Sequence, residues 1–407
     1  MKPEHTVIVG GCGHVGLPLG IVLASVAGKR VTLLDIDQSK VDAVNRGEMP
    51  FREEGAESLL RQAIGHNLAA TTDPACLAEA TSVITVVGTP VDEHLNPVVH
   101  SFYQSIDRTL DGMRDGALLV LRSTVYPGVT KLVYDRIARR GRRIHVAFCP
   151  ERIAEGHAVT ELRELPQIVS AFDREARSRA EDLFAGIART IIHLDPLEAE
   201  LAKLFTNSWR YLNFAASNQF YMLATSYGLD FNRIHDAVTR DYPRMRSFAR
   251  PGFAAGPCLL KDTLQLAAFA GNNFFLGHAA MLVNEGLPNY IVSQLRDAGL
   301  ADKVVAILGM AFKGESDDCR DSLSYKLRKL LSIEASEVLC VDPYVKDSSL
   351  VSLEEALARA DIIILGAPHR RYEQLAFPET KTVVDVWGFW KPRAVKLHEE
   401  THCTVGA

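Results

Sequence analysis

The sequence is poor in the features that mark secreted, metal-stabilised or membrane-spanning proteins. Its seven cysteines run from Cys12 to Cys403 without a CxxC spacing, which argues against a disulfide framework and against a zinc site. The longest apolar runs are too short or too interrupted to span a bilayer. Because the first residues lead almost at once into a strand pattern, we expect no signal peptide. We therefore expect a cytoplasmic protein, since reducing conditions tolerate a free reactive thiol.

The sequence also lacks a strong charge of either sign. Its 407 residues include 45 Lys and Arg against 50 Asp and Glu, a net charge of −5. This balance gives no reason to expect nucleic acid or an anionic membrane as a partner. A hydrophobic content of 47% and a charged content of 23% are ordinary for a globular protein. The length is sufficient for two or three domains, each with its own core.

Strand and helix patterns alternate in the first half of the chain. Buried-strand patterns occur at residues 6–10, 29–35, 82–88, 117–122, 143–148 and 168–170, and the first helix pattern occurs at residues 15–27. Strands that are separated by helices predict a parallel, doubly wound α/β sheet. We assign residues 1–195 to this first domain.

The pattern changes to continuous helix after residue 196. Residues 198–227 contain no proline and repeat apolar residues at helical spacing, which predicts a long amphipathic helix. Helical signals continue to about residue 297, and strand signals return at 303–308, 338–342, 361–365 and 382–386. We therefore predict a central helical region at 196–300 and a second, smaller α/β domain at 301–407.

A glycine fingerprint follows the first strand and opens the first helix. Residues 11–16 read GCGHVG, which matches GxGxxG with Gly11, Gly13 and Gly16. The first glycine permits a tight turn, the second lets the backbone approach a pyrophosphate, and the third permits close helix–strand packing. Asp35 ends the next strand, where a carboxylate binds a ribose 2′-hydroxyl and repels a 2′-phosphate. The pattern therefore predicts NAD as the cofactor, in contact with His14 and Val15 of the same loop.

One cysteine stands in the segment GFAAGPCLLKDT, residues 252–263. Cys258 follows a loop and precedes an apolar helix, and a helix N-terminus favours the nucleophilic thiolate. Taken alone, a buried structural cysteine in a turn is the simpler interpretation.

Four further stretches carry polar residues at positions typical of a site. They are STVYPG at 123–128, with Thr124; CPERIAEG at 149–156, with Glu151 and Glu155; Lys203 and Asn207 on the long helix; and AFKG at 311–314 with DDCRDS at 317–322. The first two follow strands and so lie at the carboxyl edge of the sheet, where ligands bind in α/β folds. Residues four apart on a helix share one face. Each stretch alone is also compatible with a solvated loop or helix face.

Together, and in this order over nearly the whole chain, these motifs resemble those of the UDP-glucose/GDP-mannose dehydrogenase family of nucleotide-sugar 6-dehydrogenases. The resemblance implies two Rossmann-like domains joined by a long helix that also builds a homodimer. It further implies a four-electron oxidation of a sugar C6 alcohol to a carboxylate, with two NAD and one water. In that reaction Cys258 captures the aldehyde as a thiohemiacetal, which is oxidised to a thioester and hydrolysed.

The resemblance also implies roles for individual residues. Lys203 and Asn207 would bind the substrate and stabilise oxyanions, Glu151 would bind the substrate and act as the base for water, and Asp262 would act through a water or position Lys203. The expected cofactor contacts beyond the fingerprint are Thr89, Thr124, Glu155, Lys261 and Arg320. Thr124 would also be a catalytic residue, beside the nicotinamide or the reactive water. The remaining expected substrate contacts are Gly252, Lys313 and Arg244, the last reaching the sugar site of the partner subunit.

The sequence departs from the family pattern in the cysteine loop. Leu260 stands where a proline is frequent, and Ala254 and Ala255 stand where glycines are frequent. The Tyr-Pro-Arg element at 242–244, followed by Pro-Gly and the cysteine loop, resembles the UDP-N-acetylhexosamine branch of the family more than the UDP-glucose branch. This resemblance implies a UDP-N-acetylhexosamine as the substrate, with UDP-glucose next and GDP-mannose behind.

Two other functions remain open from the sequence. One is a single-step 3-hydroxyacid or 6-phosphogluconate-type dehydrogenase, which uses a lysine and no thiol; the second α/β domain argues against it. The other is a non-enzymatic nucleotide sensor, and the intact motif residues argue against that.

Overall fold

The computed structural model describes residues 4–88, 99–254, 256–297 and 299–390. The chain divides into two compact units. The first unit comprises Met1–Thr206 and Leu264–Asn272, and the second comprises Asn207–Thr263 and Asn273–Ala407. The sequence predicts three domains, with boundaries after residues 195 and 300. This division differs from the two compact units and stays a prediction.

The first unit contains an eight-stranded sheet in the order β3-β2-β1-β4-β5-β6-β7-β8. Its strands are β1 (His5–Val9), β2 (Arg30–Leu34), β3 (Leu68–Thr71), β4 (Ser82–Thr85), β5 (Leu118–Leu121), β6 (His145–Phe148), β7 (Gln167–Ala171) and β8 (Ile191–His193). Strands β1 to β6 are parallel, as the sequence predicts. Strand β7 instead pairs antiparallel with β6. The connection between them contains one short helix and is long enough for either pairing direction, so the direction depends on how the connection packs and not on the local sequence pattern of β7.

Helices cover both faces of this sheet. They are α1 (Gly16–Ser25), α2 (Gln38–Asn45), α3 (Ala56–Ala63), α4 (Val99–Gly112), α5 (Val129–Arg139), α6 (Ala158–Glu164) and α7 (Arg174–Ala185). One core contains side chains from α1, α3 and α7, and the other contains side chains from α4 and α5. Strands β3 and β8 have no counterpart in the predicted pattern, because each is a short edge strand whose sequence lacks a buried apolar run.

Helix α8 (Pro196–Ser226) is 31 residues long and confirms the predicted long helix. Its buried face differs from the predicted apolar stripe. Leu204 is buried, but Phe205 and Trp209 of the same stripe are exposed, whereas Lys203 and Asn207 are buried. Apolar periodicity predicts the position of the helix correctly. It does not predict which face of the helix is buried within one chain, because polar side chains occupy part of that face.

The second unit combines helices with a four-stranded parallel sheet in the order β10-β9-β11-β12. Its elements are α9 (Phe231–Thr239), α10 (Leu259–Phe269), α11 (Phe275–Asp297), β9 (Val304–Leu308), α12 (Leu323–Glu334), β10 (Glu337–Val341), α13 (Leu353–Arg359), β11 (Ile362–Leu365) and β12 (Thr382–Val384). Helix α10 begins in this unit and ends in the first. The second sheet confirms the predicted second α/β domain. Within the described residues, no helix combines the length and the apolar composition that a membrane crossing requires.

Candidate active site

The turn between β1 and α1 has the geometry of a dinucleotide-binding loop. A Cβ on Gly11 would lie 2.7 Å from the Ile8 carbonyl oxygen and 2.8 Å from the Leu33 Cα, and one on Gly16 would lie 2.6 Å from the Gly10 carbonyl oxygen. A Cβ on Gly13 would meet no closer atom than the Gly10 carbonyl oxygen, at 3.7 Å. Gly11 and Gly16 are therefore required by packing within the protein, whereas Gly13 keeps its side open for a phosphate. These residues fit NAD.

Asp35 follows β2 and is held by the same loop. Its Oδ2 accepts a hydrogen bond from the Cys12 N–H at 2.9 Å, and its Oδ1 accepts one from the Asp37 N–H at 3.1 Å. These bonds fix the half-buried carboxylate and leave lone pairs for ribose hydroxyls. Beside it, the ring of His14 packs on Phe51 with the centroids 4.0 Å apart.

Two of the predicted catalytic residues lie at the carboxyl edge of neighbouring strands. Thr124 follows β5 and is half-buried, and Glu151 follows β6 and is buried. Glu151 Oε1 accepts hydrogen bonds from the N–H groups of Arg152, at 2.6 Å, and Ile153, at 2.9 Å. These contacts hold the carboxylate at the edge where the resemblance places a base.

Arg122 is a site residue that the sequence motifs do not identify. Its guanidinium forms an ion pair with Glu151 and is only 1% exposed. The same group donates to the Cys149 carbonyl oxygen at 3.2 Å and to Gln167 Oε1 at 3.0 Å. A charged residue directly after a buried strand is the one sequence signal that points to it.

Glu200 connects α8 to the loop that carries Thr124. Its carboxylate accepts hydrogen bonds from the Gly128 N–H at 2.6 Å, the Thr130 N–H at 2.8 Å and the Thr130 hydroxyl at 2.6 Å. These are groups at the N-terminus of α5, so Glu200 caps that helix. Burial raises the pKa of Glu200. Lys203, also buried, follows three residues later on α8.

Cys258 differs from most other cysteines of the chain in its exposure. Of the six cysteines in the described residues, only Cys258 and Cys319 are exposed. Burial raises the pKa of Cys12 and Cys149 to about 12 and that of Cys76 and Cys340 to about 11, so these four stay neutral thiols near pH 7. The Cys258 carbonyl oxygen accepts the Asp262 N–H at 2.9 Å, which places Cys258 at the N-terminus of α10. The interpretation of Cys258 as a buried structural cysteine is wrong.

A buried carboxylate joins two residues of the predicted site one turn after Cys258. Asp262 is fully buried, and its Oδ2 accepts a hydrogen bond from Asn207 Nδ2 at 2.6 Å. Its Oδ1 accepts one from Lys261 Nζ at 2.5 Å. Lys261, for which the sequence predicts a cofactor contact, is thus paired with its neighbour. Asn207 Nδ2 keeps a second N–H for another acceptor.

The start of the cysteine loop is held by residues far away in sequence. Asn218 Oδ1 accepts the Gly252 N–H at 2.8 Å, and Asn218 Nδ2 donates to the Gly252 carbonyl oxygen at 3.0 Å. Asn284 Oδ1 accepts a second hydrogen bond from Asn218. The ring of Trp387 covers Gly252 so closely that a Cβ there would lie 2.4 Å from it. No sequence pattern identifies Asn218 or Trp387.

Lys313 and Arg320 lie in the loops that follow β9. Arg320 donates from its backbone N–H and its guanidinium to the Asp318 carboxylate, with an N···O distance of 2.9 Å for the backbone bond. The Lys313 ammonium lies 5.7 Å from the centroid of the Phe312 ring. Arg244 is exposed, and it donates to the Tyr242 hydroxyl at 2.9 Å. Thr89 lies outside the described residues.

The second sheet has an acidic residue at the place that Asp35 occupies in the first sheet. Asp342 follows β10, and its Oδ2 accepts the N–H groups of Met310 and Ala311 at 2.7 and 2.9 Å. Burial acts to raise the pKa of Asp342, but hydrogen bonds from His369 and from the backbone outweigh it and lower the pKa to about 2. This carboxylate is fully enclosed by the protein, and the loop lacks the GxGxxG pattern. The dinucleotide site therefore belongs to the first sheet.

The whole site pattern matches one family of enzymes. Models of the UDP-glucose/GDP-mannose dehydrogenase family match the NAD binding domain at residues 5–188, the central domain at 197–285 and the UDP binding domain at 306–392. The chain belongs to the UDP-glucose/GDP-mannose dehydrogenase family. It is an NAD-dependent nucleotide-sugar dehydrogenase, so the predicted family, activity and cofactor are confirmed.

Individual relatives cover almost the full chain at low identity. The chain is 27% identical to a UDP-N-acetyl-D-mannosamine dehydrogenase of Methanococcus aeolicus over 94% of this chain and 89% of that protein. It is 28% identical to an NDP-N-acetyl-D-galactosaminuronic acid dehydrogenase of Ralstonia nicotianae over 96% and 97%. Its fold is similar to that of a UDP-glucose dehydrogenase from Pyrobaculum islandicum, with a TM-score of 0.86, 26% identity and coverage of 96% and 98%.

Proposed function

We propose that this enzyme oxidises the C6 alcohol of a UDP-N-acetylhexosamine to the uronic acid in two successive NAD-dependent steps, with Cys258 as the covalent nucleophile. The observation that carries the proposal is the exposed thiol at the N-terminus of α10, followed within one turn by the buried Asp262, which accepts hydrogen bonds from Asn207 and Lys261. A single-step dehydrogenase has no use for such a thiol.

The proposed chemistry assigns a task to each group. NAD, when bound, accepts one hydride in each of the two oxidations. The first oxidation converts the C6 alcohol to an aldehyde, and Lys203 takes part in removing the hydroxyl proton. The Cys258 sulfur then adds to the aldehyde carbonyl to form a thiohemiacetal, whose oxidation gives a thioester. Asn207, through its second N–H, and Lys203 stabilise the oxyanions, and one such donor contributes roughly 3–4 kcal/mol.

The last step is hydrolysis of the thioester. Glu151 takes a proton from the attacking water, which Thr124 helps to position, and the C–S bond breaks to release the acid and the thiol. The contacts of Glu151 with Arg122 and with two backbone N–H groups support this role, because they hold the carboxylate in one orientation. Asp262 supports the first two steps, since it orients the Asn207 amide.

The preference for an N-acetylhexosamine has two supports. The Tyr-Pro-Arg element at 242–244 is one. The other is that the relatives in Methanococcus aeolicus and Ralstonia nicotianae are both named for N-acetylated sugars. UDP-glucose is the second candidate, because the Pyrobaculum islandicum enzyme of the same fold is a UDP-glucose dehydrogenase.

We further propose a homodimer built on α8. Large apolar side chains of this helix lie in solvent: Trp209 is 60% exposed, Phe220 is 50% exposed and Leu223 is 56% exposed. Apolar side chains that repeat at helical spacing on an uncovered face are typical of a subunit interface. Arg244 would reach the partner's sugar from such a dimer. A reducing cytoplasm is the proposed location, since Cys258 must stay a free thiol.

The stoichiometry of NADH formation tests the reaction. UDP-N-acetylmannosamine, UDP-N-acetylglucosamine, UDP-glucose and GDP-mannose are each supplied in limiting amount with excess NAD, and NADH absorbance is followed. We expect two NADH per sugar with an N-acetylhexosamine. One NADH per sugar, or no NADH with any sugar, would refute the proposal.

Variants of the two exposed cysteines assign the nucleophile. Cys258→Ser should lower complete turnover at least about a thousandfold, because the serine hydroxyl does not replace the thiolate. Cys319→Ser is the matched control and should keep native turnover. Equal losses in the two variants would contradict the assignment.

A further inference from the structure

The second glycine of the cysteine loop is covered by an aromatic ring from the second α/β domain. Gly256 is buried, has a φ of +97°, and lies two residues before Cys258. A Cβ at Gly256 would lie 2.5 Å from Cδ2 and 2.8 Å from Cε2 of Phe312. The ring therefore rests directly on the backbone of the loop, with no side chain between them.

Hydrogen bonds tie the same glycine to the turn that follows Phe312. The Gly256 N–H donates to the Asp321 carbonyl oxygen at 3.4 Å, and the Phe312 N–H donates to the Asp318 carbonyl oxygen at 2.9 Å. Asp318 in turn accepts hydrogen bonds from Arg320. Gly256 is thus held both by the ring and by the turn.

The elements that hold Gly256 are also the elements that carry the predicted ligand contacts. Lys313 directly follows Phe312, and its ammonium lies 5.7 Å from the centroid of the Phe312 ring, within the range of a cation–π contact. A ligand phosphate or hydroxyl that draws Lys313 towards itself changes this contact. Close-packed groups transmit such a displacement, and a shift of about 1 Å at a reacting group can change its rate about a hundredfold.

We propose that Phe312 is a positioning residue that couples occupancy of the nucleotide site at Lys313 to the position and reactivity of the Cys258 thiol. Nucleotide binding then determines the position of the Cys258 thiol before the aldehyde forms. This inference rests on the proposed function, since it takes Lys313 as a nucleotide-sugar contact and Cys258 as the nucleophile.

The alkylation rate of Cys258 by iodoacetamide, with and without saturating UDP, measures the coupling. The protein carries Cys319→Ser so that Cys258 is the one exposed cysteine among the described residues, and peptide mass spectrometry confirms the alkylated site. UDP lacks the sugar, so it does not place a hexose over the thiol. We expect UDP to change the rate at least about fivefold, the lower end of usual coupling between two sites.

Variants of Phe312 separate coupling from a general effect of bound UDP. Phe312→Leu should abolish the UDP-dependent change while calorimetry still shows UDP binding, and Phe312→Tyr should restore it because the ring is kept. Phe312→Met replaces the leucine variant if circular dichroism shows that the latter is unfolded. Trp387→Phe is the control, since its ring covers Gly252, whereas the atoms nearest to a Cβ at Gly256 belong to Phe312.

The outcomes distinguish the inference from the proposed function. An unchanged alkylation rate although UDP binds, or a full UDP effect in Phe312→Leu and Phe312→Met, would overturn the inference alone. Loss of the effect in Trp387→Phe as well as in Phe312→Leu would also overturn it, because any loosening of the loop would then suffice. If UDP does not bind and no UDP-sugar yields NADH, the proposed function itself fails.

Discussion

Asp262 is a fully buried carboxylate whose two oxygens accept hydrogen bonds from two different residues of the proposed site. One bond comes from the Asn207 amide, which can place either its nitrogen or its oxygen towards a substrate. The carboxylate accepts only from the nitrogen, so it sets which way the amide faces. At the scale of single residues, the buried Asp262 carboxylate thus decides the orientation of the Asn207 amide.

This role predicts the effect of Asp262→Asn. The variant removes the charge that pairs with Lys261 and lets the Asn207 amide turn over, so kcat should fall about a hundredfold. Asn207→Ala should cause a similar loss. The double variant should lose no more than the worse single variant, because both changes remove the same oriented amide. Steady-state kinetics of all three measure this, and losses that multiply would show that the two residues act independently.

The glycine turn between β1 and α1 is an element whose residues serve two different purposes. Gly13→Ala should leave the free energy of unfolding nearly unchanged and raise the NAD Kd about tenfold or more, because the new methyl group occupies the side left open for the pyrophosphate. Gly11→Ala should lower the free energy of unfolding by about 1–3 kcal/mol, because its Cβ meets the backbone of Ile8 and Leu33. NAD titration and urea unfolding measure the pair; native NAD affinity in Gly13→Ala would contradict the assignment of this loop.

The cap of α5 predicts a dependence of stability on pH. Burial raises the pKa of Glu200 in the folded protein above the ordinary value of 4.5. The folded state therefore binds this proton more tightly, and the stabilising contribution is complete below pH 4.5 and declines as the pH rises to the folded pKa. In Glu200→Gln this component is absent. The unfolding free energy of the native protein, relative to that of Glu200→Gln, should therefore fall as the pH rises from 4.5 to the folded pKa of Glu200. Above that pKa the difference between the two proteins should stay constant.

Denaturant unfolding of the two proteins over a pH series measures this difference. Two stability curves that stay parallel from acidic to neutral pH would show that Glu200 titrates as it does in the unfolded chain.

At the scale of the whole molecule, the exposed apolar side of α8 predicts that two chains associate as a dimer. Leu223→Glu places a charge in the proposed interface and should raise the dimer dissociation constant at least about a hundredfold, because an apolar contact is replaced by a buried unpaired charge. Light scattering over a concentration series measures it. Ile333→Glu on α12 is the matched control, since Ile333 is 81% exposed but lies on another helix. A native protein that is monomeric at all concentrations would refute the dimer.

Much of the fold follows from the sequence because strands and helices leave local patterns. The apolar runs at residues 6–10 and 303–308 become β1 and β9, and the proline-free stretch after residue 198 becomes part of α8. The antiparallel pairing of β7 does not follow, because strand direction depends on how the connection packs and not on the strand itself. The exposed stripe of α8 does not follow either, because periodicity marks an apolar face without showing what covers it.

The sequence by itself determined the order of the α/β elements, the NAD fingerprint with Asp35, and the position of Cys258 at the start of a helix. Each of these features depends on residues that are close together in the chain. Only the tertiary structure decided which groups hold that machinery in place. Arg122 on Glu151, Glu200 on the α5 N-terminus, Asn218 on Gly252 and Phe312 on Gly256 are all long-range contacts. Such contacts arise from packing between distant segments, and no local pattern shows which residue of one segment meets which residue of the other.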